Sequence, residues 1–157
     1  RFAKQALWER DTRTVLIVKE PGKEKNQTCN APVQLVDIYP TLTELCNLPG
    51  YKLADGKSLV PFLKKPDKKA KIPALSFYGT GNIAVRDERF RLIQYEDGSI
   101  EFYDMKKDPN EWHNLASEET YKSKIKKLKA FIPNEWASLS KYSSYNFNSY
   151  FKGKSNK

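Results

Sequence analysis

Asp97-Gly98 stands between two stretches of strand character, residues 82–96 and 99–104, and this constrains the fold more than any other feature. Glycine tolerates the positive φ that a tight hairpin demands, so Glu96-Asp97-Gly98 between alternating runs is a strong short-range hairpin signal. Ile83 and Val85, then Phe90 and Leu92, then Ile100 and Phe102 recur at period two, the pattern of a sheet with one dry face. After Asp104 the chain leaves through Asp108-Pro109, a turn starter. The remaining segments are expected to feed this hairpin or to cover it.

Upstream, residues 74–78 (ALSFY) form a further strand, followed by the turn Gly79-Thr80-Gly81, so the sheet has at least three strands in antiparallel order. Downstream, residues 118–136 form an amphipathic helix. Tyr121, Ile125, Leu128, Phe131 and Ile132 occupy one face and lysines the other, and Pro133 ends it. Such a helix lies across the dry face of the sheet in an α+β layer. Residues 138–157 lack periodicity and form an extended tail rich in Ser, Tyr, Asn and Lys.

The first part of the chain differs in kind. Thr14-Val15-Leu16-Ile17-Val18 is apolar on both faces, as in a buried strand of a parallel sheet. Residues 33–48 form a helix with Leu35, Ile38, Leu42, Leu45 and Cys46 on one stripe. Pro40 bends or restarts it, and Leu48-Pro49-Gly50 stops it. Residues 58–63 form a short helix capped by Ser58. One buried strand and one helix cannot cover each other on both sides. The expected architecture is therefore α/β plus α+β: the edge of a larger α/β sheet, then a small antiparallel sheet under a C-terminal helix. Residues 1–66 make the first unit, residues 67–137 the second and residues 138–157 the tail.

Of the 157 residues, 39% are hydrophobic, enough for a core, and no run approaches the roughly 20 apolar residues that span a bilayer. The sequence begins at Arg1-Phe2 without Met or an apolar leader, as if in mid-chain. The net charge of +9 favours polyanions or simply solubility. Cys29 and Cys46 have no metal or redox spacing and are compatible with either free thiols or a pair. His113 is the only histidine, so a histidine-rich metal site is excluded. Asn26-Gln27-Thr28 matches a glycosylation sequon, and residues 64–71 are a solvated lysine loop.

Residues 33–63 carry Asp37, Pro40, Thr41, Leu42, Leu48, Pro49, Asp55, Gly56, Ser58, Leu59 and Leu63 in an order that resembles the type I, formylglycine-dependent sulfatases. The hairpin resembles the same family's C-terminal segment through Val85-Arg86, Arg91-Leu92-Ile93, Tyr103-Asp104, Asp108-Pro109, Glu111 and Asn114-Leu115. Lys4, Trp8, Glu9 and Arg13 resemble its Lys-x3-aromatic-Glu-x3-Arg segment, although Thr12-Arg13-Thr14-Val15 lacks the usual proline. The style is closest to the iduronate-2-sulfatase-like and choline-sulfatase-like bacterial branch.

The resemblance implies hydrolysis of sulfate esters, such as those of a sulfated carbohydrate, in an alkaline-phosphatase-like fold. It implies a formylglycine nucleophile and a calcium ion held by aspartates. Neither belongs to this sequence: no Pro-x-Arg follows Cys29 or Cys46, and the Asp-rich motif is absent, so the chain has no metal ligands of its own. The sequence thus resembles the last third of a sulfatase, inactive alone, whose partner is the upstream catalytic portion. Export to a periplasm or beyond the cell is implied only by the family, and neither nucleic acid nor a membrane is an expected partner.

By position, Lys4 corresponds to the family's sulfate-contacting lysine, and a fixed ammonium there would stabilise the negative charge that grows in sulfuryl transfer. Arg86 and Asn82, beside the turn at residues 79–82, are the candidate substrate-binding residues. The alternative for Arg86 is an ion pair with Asp87, Glu88 or Asp104. His113 and the Asp104/Asp108 pair are read as parts of a turn, with Glu111 and Asn114 tying that turn to the sheet. The competing function is a free-standing basic module that binds a polyanion, nucleic acid or sulfated glycan, through lysines and aromatics.

Overall fold

A computed structural model describes residues 6–23 and 26–138. Its centre is a four-stranded antiparallel meander in the order β1-β2-β3-β4, with β1 Ala74–Phe77, β2 Ile83–Arg86, β3 Phe90–Gln94 and β4 Ile100–Asp104. The turn at Asp97-Gly98 forms as expected: Gly98 takes φ +83°, its N–H bonds to the Tyr95 carbonyl, and Asp97 accepts from Ser99 N–H and Oγ.

The run over residues 82–96, read as one strand, is itself a hairpin. Asp87 breaks it, its Oδ1 accepting from the Arg89 and Phe90 N–H groups at 2.8 and 2.6 Å. An aspartate whose side chain bonds backbone two or three residues on makes a turn without glycine or proline.

The alternation then sorts side chains to two faces. In register, Val85 lies opposite Leu92 and Leu92 opposite Phe102, so these share one face with Ile83, Phe90, Leu75 and Ile100. Helix α4, Lys122–Lys129, covers that face with Ile125 and Leu128, preceded by a 3-10 turn at Glu119–Tyr121. Phe90 and Phe102 stack with centroids 5.3 Å apart, and Tyr121 meets both. The helix is shorter than residues 118–136. Phe131 falls beyond it and stays partly exposed, whereas Ile132 and Trp136 still reach the core.

The first part of the chain departs further from expectation. Helix α1 is one turn, Glu9–Thr12. Residues 14–18 form no strand among the described residues, and Val15 and Ile17 are 81% and 85% exposed. The strand expected here needs neighbouring strands from outside this chain, and no described segment pairs with these residues. The helix expected over residues 33–48 is a 3-10 turn at Leu35–Asp37 followed by α2, Ile38–Leu45. Pro40 lies in the first turn of α2, where its missing N–H has no intrahelical carbonyl to reach. Leu35 and Leu42, expected in a packed stripe, are exposed. The short helix α3 is Val60–Lys64, with Ser58 Oγ accepting from Val60 N–H at 3.2 Å. Cys29 and Cys46 are exposed free thiols. The tail over residues 139–157 lies outside the described residues.

Candidate functional site

The motif residues of the first part form a clasp. Asp37 accepts from Gln34 N–H at 2.9 Å and from Lys57 N–H at 2.8 Å, and Thr41 Oγ1 accepts from Leu59 N–H at 2.8 Å. The loop lies so close to α2's lead-in that a Cβ on Gly56 would meet the Val36 carbonyl oxygen at 2.0 Å. Only glycine fits there. Gln34 Oε1 in turn accepts from Leu75 N–H at 3.1 Å, which links the clasp to β1.

The second face of the sheet carries the denser chemistry. Ala84, Ile93 and Tyr103 line it together with Met105, and Leu7 from the N-terminal segment packs against them. Strand register puts Arg86 opposite Arg91 on this face, and Arg91 opposite Tyr103. Two arginines side by side repel unless an anion lies between them. Glu9 supplies it: its Oε2 bonds Arg91 Nη2 and stands 3.4 Å from Arg86 Nε.

Arg91, only 2% exposed, also donates to the Leu7 carbonyl at 2.8 Å and to Thr12 Oγ1 at 3.1 Å. Its Nε lies 3.0 Å from Glu111 Oε1, an ion-pair distance without hydrogen-bond alignment, so both atoms lack a hydrogen bond. The other oxygen of Glu111 accepts from Glu9 N–H at 2.8 Å. Glu111 holds this place with φ +57°, a conformation that costs about 1–3 kcal/mol in a non-glycine residue.

These neighbours set the ionisation of the group. Burial opposes charge on Glu9, yet Arg91 and Arg86 outweigh it and hold its carboxyl below the ordinary value. Burial dominates at Glu111 and raises its carboxyl despite the Glu9 N–H and Arg91. Arg86 is lowered by burial and by the nearby Arg91 charge, with Glu9 opposing.

A second hub is Glu101. It accepts from Trp8 Nε1 and the Tyr103 hydroxyl, each at 2.8 Å, and from the Tyr95 hydroxyl at 3.1 Å. Burial and the hydrogen bond to Glu101 raise the Tyr103 hydroxyl to about 12, so it remains a donor.

Of the candidate site residues, Lys4 lies outside the described residues. Asn82 braces its own turn, donating from Nδ2 to the Thr80 carbonyl and accepting at Oδ1 from Glu96 N–H, each at 3.1 Å. Arg86 is held by Glu9 and by the Asp87 carbonyl, so its ion-pair partner is a residue 77 positions away rather than Glu88 or Asp104. Asp104 is buried and bidentate with Arg89, whose hydrogen bonds, outweighing burial, keep its carboxyl below the ordinary value. Asp108 accepts from the Trp112 and His113 N–H groups at 2.8 Å. Asn114 accepts from Phe102 N–H at 3.0 Å, and with Glu111 it ties the turn to the sheet. The His113 side chain is exposed, 3.7 Å from Asp108.

Among the described residues, no three His, Cys, Asp or Glu side chains converge as metal ligands. Glu9 and Glu111 on the charged face already face arginines, so this donor set does not fit calcium. A shallow depression at Lys65, Asp67 and Lys68 sits on the lysine loop and presents no nucleophile. No helix of the described residues is long and apolar enough to cross a membrane.

The sequence pointed to Trp8, Glu9 and Arg91 only as motif positions and to Glu111 as a brace of its turn, and it passed over Glu101. A charged residue inside an otherwise apolar strand, as in Phe90-Arg91-Leu92-Ile93, was the available signal, because a buried arginine requires counter-charges nearby.

Sheet, clasp and charged face together match the C-terminal part of a sulfatase. The family described as N-sulphoglucosamine sulphohydrolase, C-terminal, matches residues 1–137. A sulfatase of Formosa agariphila is 44% identical over 150 residues, covering 96% of this chain and 30% of that protein. Arylsulfatase K of Gallus gallus is 32% identical over 149 residues, covering 84% of this chain and 28% of that protein. Among solved structures, a 2-O GAG sulfatase superimposes with a TM-score of 0.51 at 31% identity, covering 60% of this chain and 22% of that one. The chain therefore belongs to the C-terminal domain family of the formylglycine-dependent sulfatases, with their alkaline-phosphatase-like fold. It spans about a third of the length of the curated relatives it matches.

Proposed function

We propose that this chain is the C-terminal portion of a sulfatase that hydrolyses sulfate esters of a sulfated carbohydrate. The observation that carries the reading is the family match across residues 1–137, which takes in both motif segments and the charged face. The 2-O GAG sulfatase among the structural relatives supports a sulfated glycan as substrate. In this reading the formylglycine nucleophile and the calcium site lie in the upstream catalytic portion, and this chain alone is inactive. Residues 1–66 complete the catalytic α/β domain, and exposed Val15, Ile17, Leu35 and Leu53 are the surface on which the upstream portion packs. Residues 67–137 form the C-terminal subdomain and residues 138–157 a tail. Export to the periplasm or outside the cell accompanies the reading.

Lys4 contacts the sulfate and stabilises the charge that grows on it in the transition state. Asn82 and Arg86 border the substrate cleft. Their polar groups are occupied by Thr80, Glu96, Glu9 and Asp87, which favours shaping that border over holding the sulfate directly.

A polyanion-binding module is the weaker reading. The lysines of α4 are solvated, but Phe90, Phe102 and Tyr121 pack inside the core, where no base or sugar can stack on them. The test is turnover of an aryl sulfate and of sulfated glycan oligosaccharides by the full-length protein with its formylglycine verified by mass spectrometry. Lys4→Ala is expected to lower kcat/KM about 100-fold. Absence of turnover on every sulfate ester, with formylglycine present, would overturn the reading.

A further inference from the structure

Helix α4 covers the sheet with two residues and gives most of its remaining surface to lysine. Ile125 and Leu128 are buried, whereas Lys122, Lys124, Lys126, Lys127 and Lys129 are all exposed. Residues 122–134 contain no carboxylate. Lys122 pairs with Glu119, and among the described residues no acidic side chain pairs with the other four. Lys122, Lys126 and Lys129 stand at spacings of four and three, so they share one row along the helix, and Lys124 and Lys127 share another. Like charges at those spacings repel and weaken a helix, whereas alternating Glu and Lys would keep it soluble at no such cost. The negative end of the helix dipole offsets part of the repulsion at Lys126, Lys127 and Lys129, which lie in the last turn. It does nothing for Lys122 and Lys124 near the positive end. Cover of the core needs only Ile125 and Leu128, so the fold does not require this charge, and a bound anion would relieve it.

We propose that the row Lys122, Lys126 and Lys129 is a binding surface for a sulfated glycan chain. The inference rests on the reading of the substrate as a sulfated carbohydrate and deepens it: the substrate is a polymer, held by α4 while one of its sulfate esters reacts elsewhere. At the rise of an α-helix the row is about 10 Å long, enough to meet sulfates on neighbouring sugar units. Leu7 and Arg86 lie on the opposite face of the sheet. The lysines therefore act on a distant part of a long ligand and not on the reacting ester. Lysine is a point charge on a flexible stem, so it attracts recurring sulfates without demanding one fixed geometry. Nucleic acid fits less well, because Phe90, Phe102 and Tyr121 beneath the helix are packed in the core and offer bases no platform. An upstream domain packed on the row would have to desolvate unpaired ammonium groups, whereas exposed Val15, Ile17, Leu35 and Leu53 offer it an apolar surface.

Two triple variants of the full-length protein test the surface. Lys122→Gln/Lys126→Gln/Lys129→Gln removes the row and substitutes a good helix former. Lys65→Gln/Lys68→Gln/Lys69→Gln removes the same net charge from the exposed lysine loop. With heparin as the ligand, calorimetric titration is expected to show about tenfold weaker binding for the α4 variant, with a slope of log affinity against log salt smaller by about 2. The loop variant is expected to change that affinity less than about twofold. On an aryl sulfate, too short to reach α4, both variants are expected to keep kcat/KM within about twofold of wild type, which also shows that each has folded. Lys126→Gln alone, at the centre of the row, is expected to weaken heparin binding about threefold and serves if the triple variant does not fold. Equal weakening by the two triple variants would overturn the proposal, since net charge and not the row would then attract the chain. A DNA duplex that binds as tightly as heparin at the same salt would overturn the choice of a sulfated glycan. If wild type turns over no sulfate ester, the underlying reading fails and the proposal with it. Intact aryl sulfate turnover, with no loss of heparin binding in the α4 variant, sinks the proposal alone.

Discussion

The two faces of the four-stranded sheet are built from the same strands and hold their partners by different physics. On one face Ile83, Val85, Leu92 and Phe102, all fully buried, meet Ile125 and Leu128 of α4. That contact is non-directional, and its strength follows the apolar area removed from water. On the other face Leu7 and the neighbouring Trp8 pack against apolar side chains, while Arg91, Glu9, Glu111 and Glu101 make bonds of fixed direction. Buried ion pairs are a poor source of net stability, because desolvation offsets much of the attraction. The comparison separates two tasks. The helix-covered face holds the domain together, and the charged face fixes where one particular segment of chain lies.

Substitution on each face tests that division. Phe102→Ala, which removes a fully buried ring stacked on Phe90, is expected to cost about 4 kcal/mol in urea unfolding. If the loss falls below that of any charged-face substitution, the division of labour is wrong. Arg91→Met is expected to cost about 3 kcal/mol at neutral pH, because it leaves Glu111 buried without a counter-charge and Glu9 with Arg86 as its remaining partner.

The cost of Arg91→Met depends on pH with a sign that can be worked out. Glu9 titrates below its ordinary value in the folded state. Its pairing with Arg91 and Arg86 therefore adds stability above the ordinary carboxylate range, and that stability is lost as pH falls through the range toward the folded value. Glu111, raised by burial, works in the opposite sense, adding stability in acid that is lost as pH rises through its folded value. The gap between wild type and Arg91→Met is thus expected to be widest near neutrality and to narrow in acid. Unfolding curves across that range check it, and a gap that widens in acid would contradict the pairing. Gly98→Ala belongs to neither face and sharpens the comparison from below. Nothing lies within 4 Å of the added methyl, so only the φ of +83° resists it, and about 1 kcal/mol is expected in thermal unfolding.

Local signals account for what could be read in advance. Asp97-Gly98 announced its turn because one residue must accept positive φ, and Phe90, Leu92, Ile100 and Phe102 announced the dry face because a strand alternates. The hairpin hidden within residues 82–96 carried a signal as well, Asp87, but a side-chain cap is weaker punctuation than glycine. Val15 to Val18 went the other way. Their composition asks for a strand with neighbours on both sides, and no described segment supplies one. The charged face was the least legible part, since Glu9, Arg91 and Glu111 are separated by 82 and by 20 positions, and no periodicity connects them.

By itself, then, the sequence determined the local geometry: the turn at Gly98, the alternation that makes one sheet face apolar, the break before α2 and the family to which the motifs belong. Only the tertiary structure decided the partners. It set Arg86 beside Arg91, placed Glu9 between them, and turned Glu111 beneath a segment about a hundred residues upstream. The physical reason is range. Backbone preferences act over a few residues, whereas charges leave water only in company, and that company is assembled by the register of the strands and the path of the chain across them.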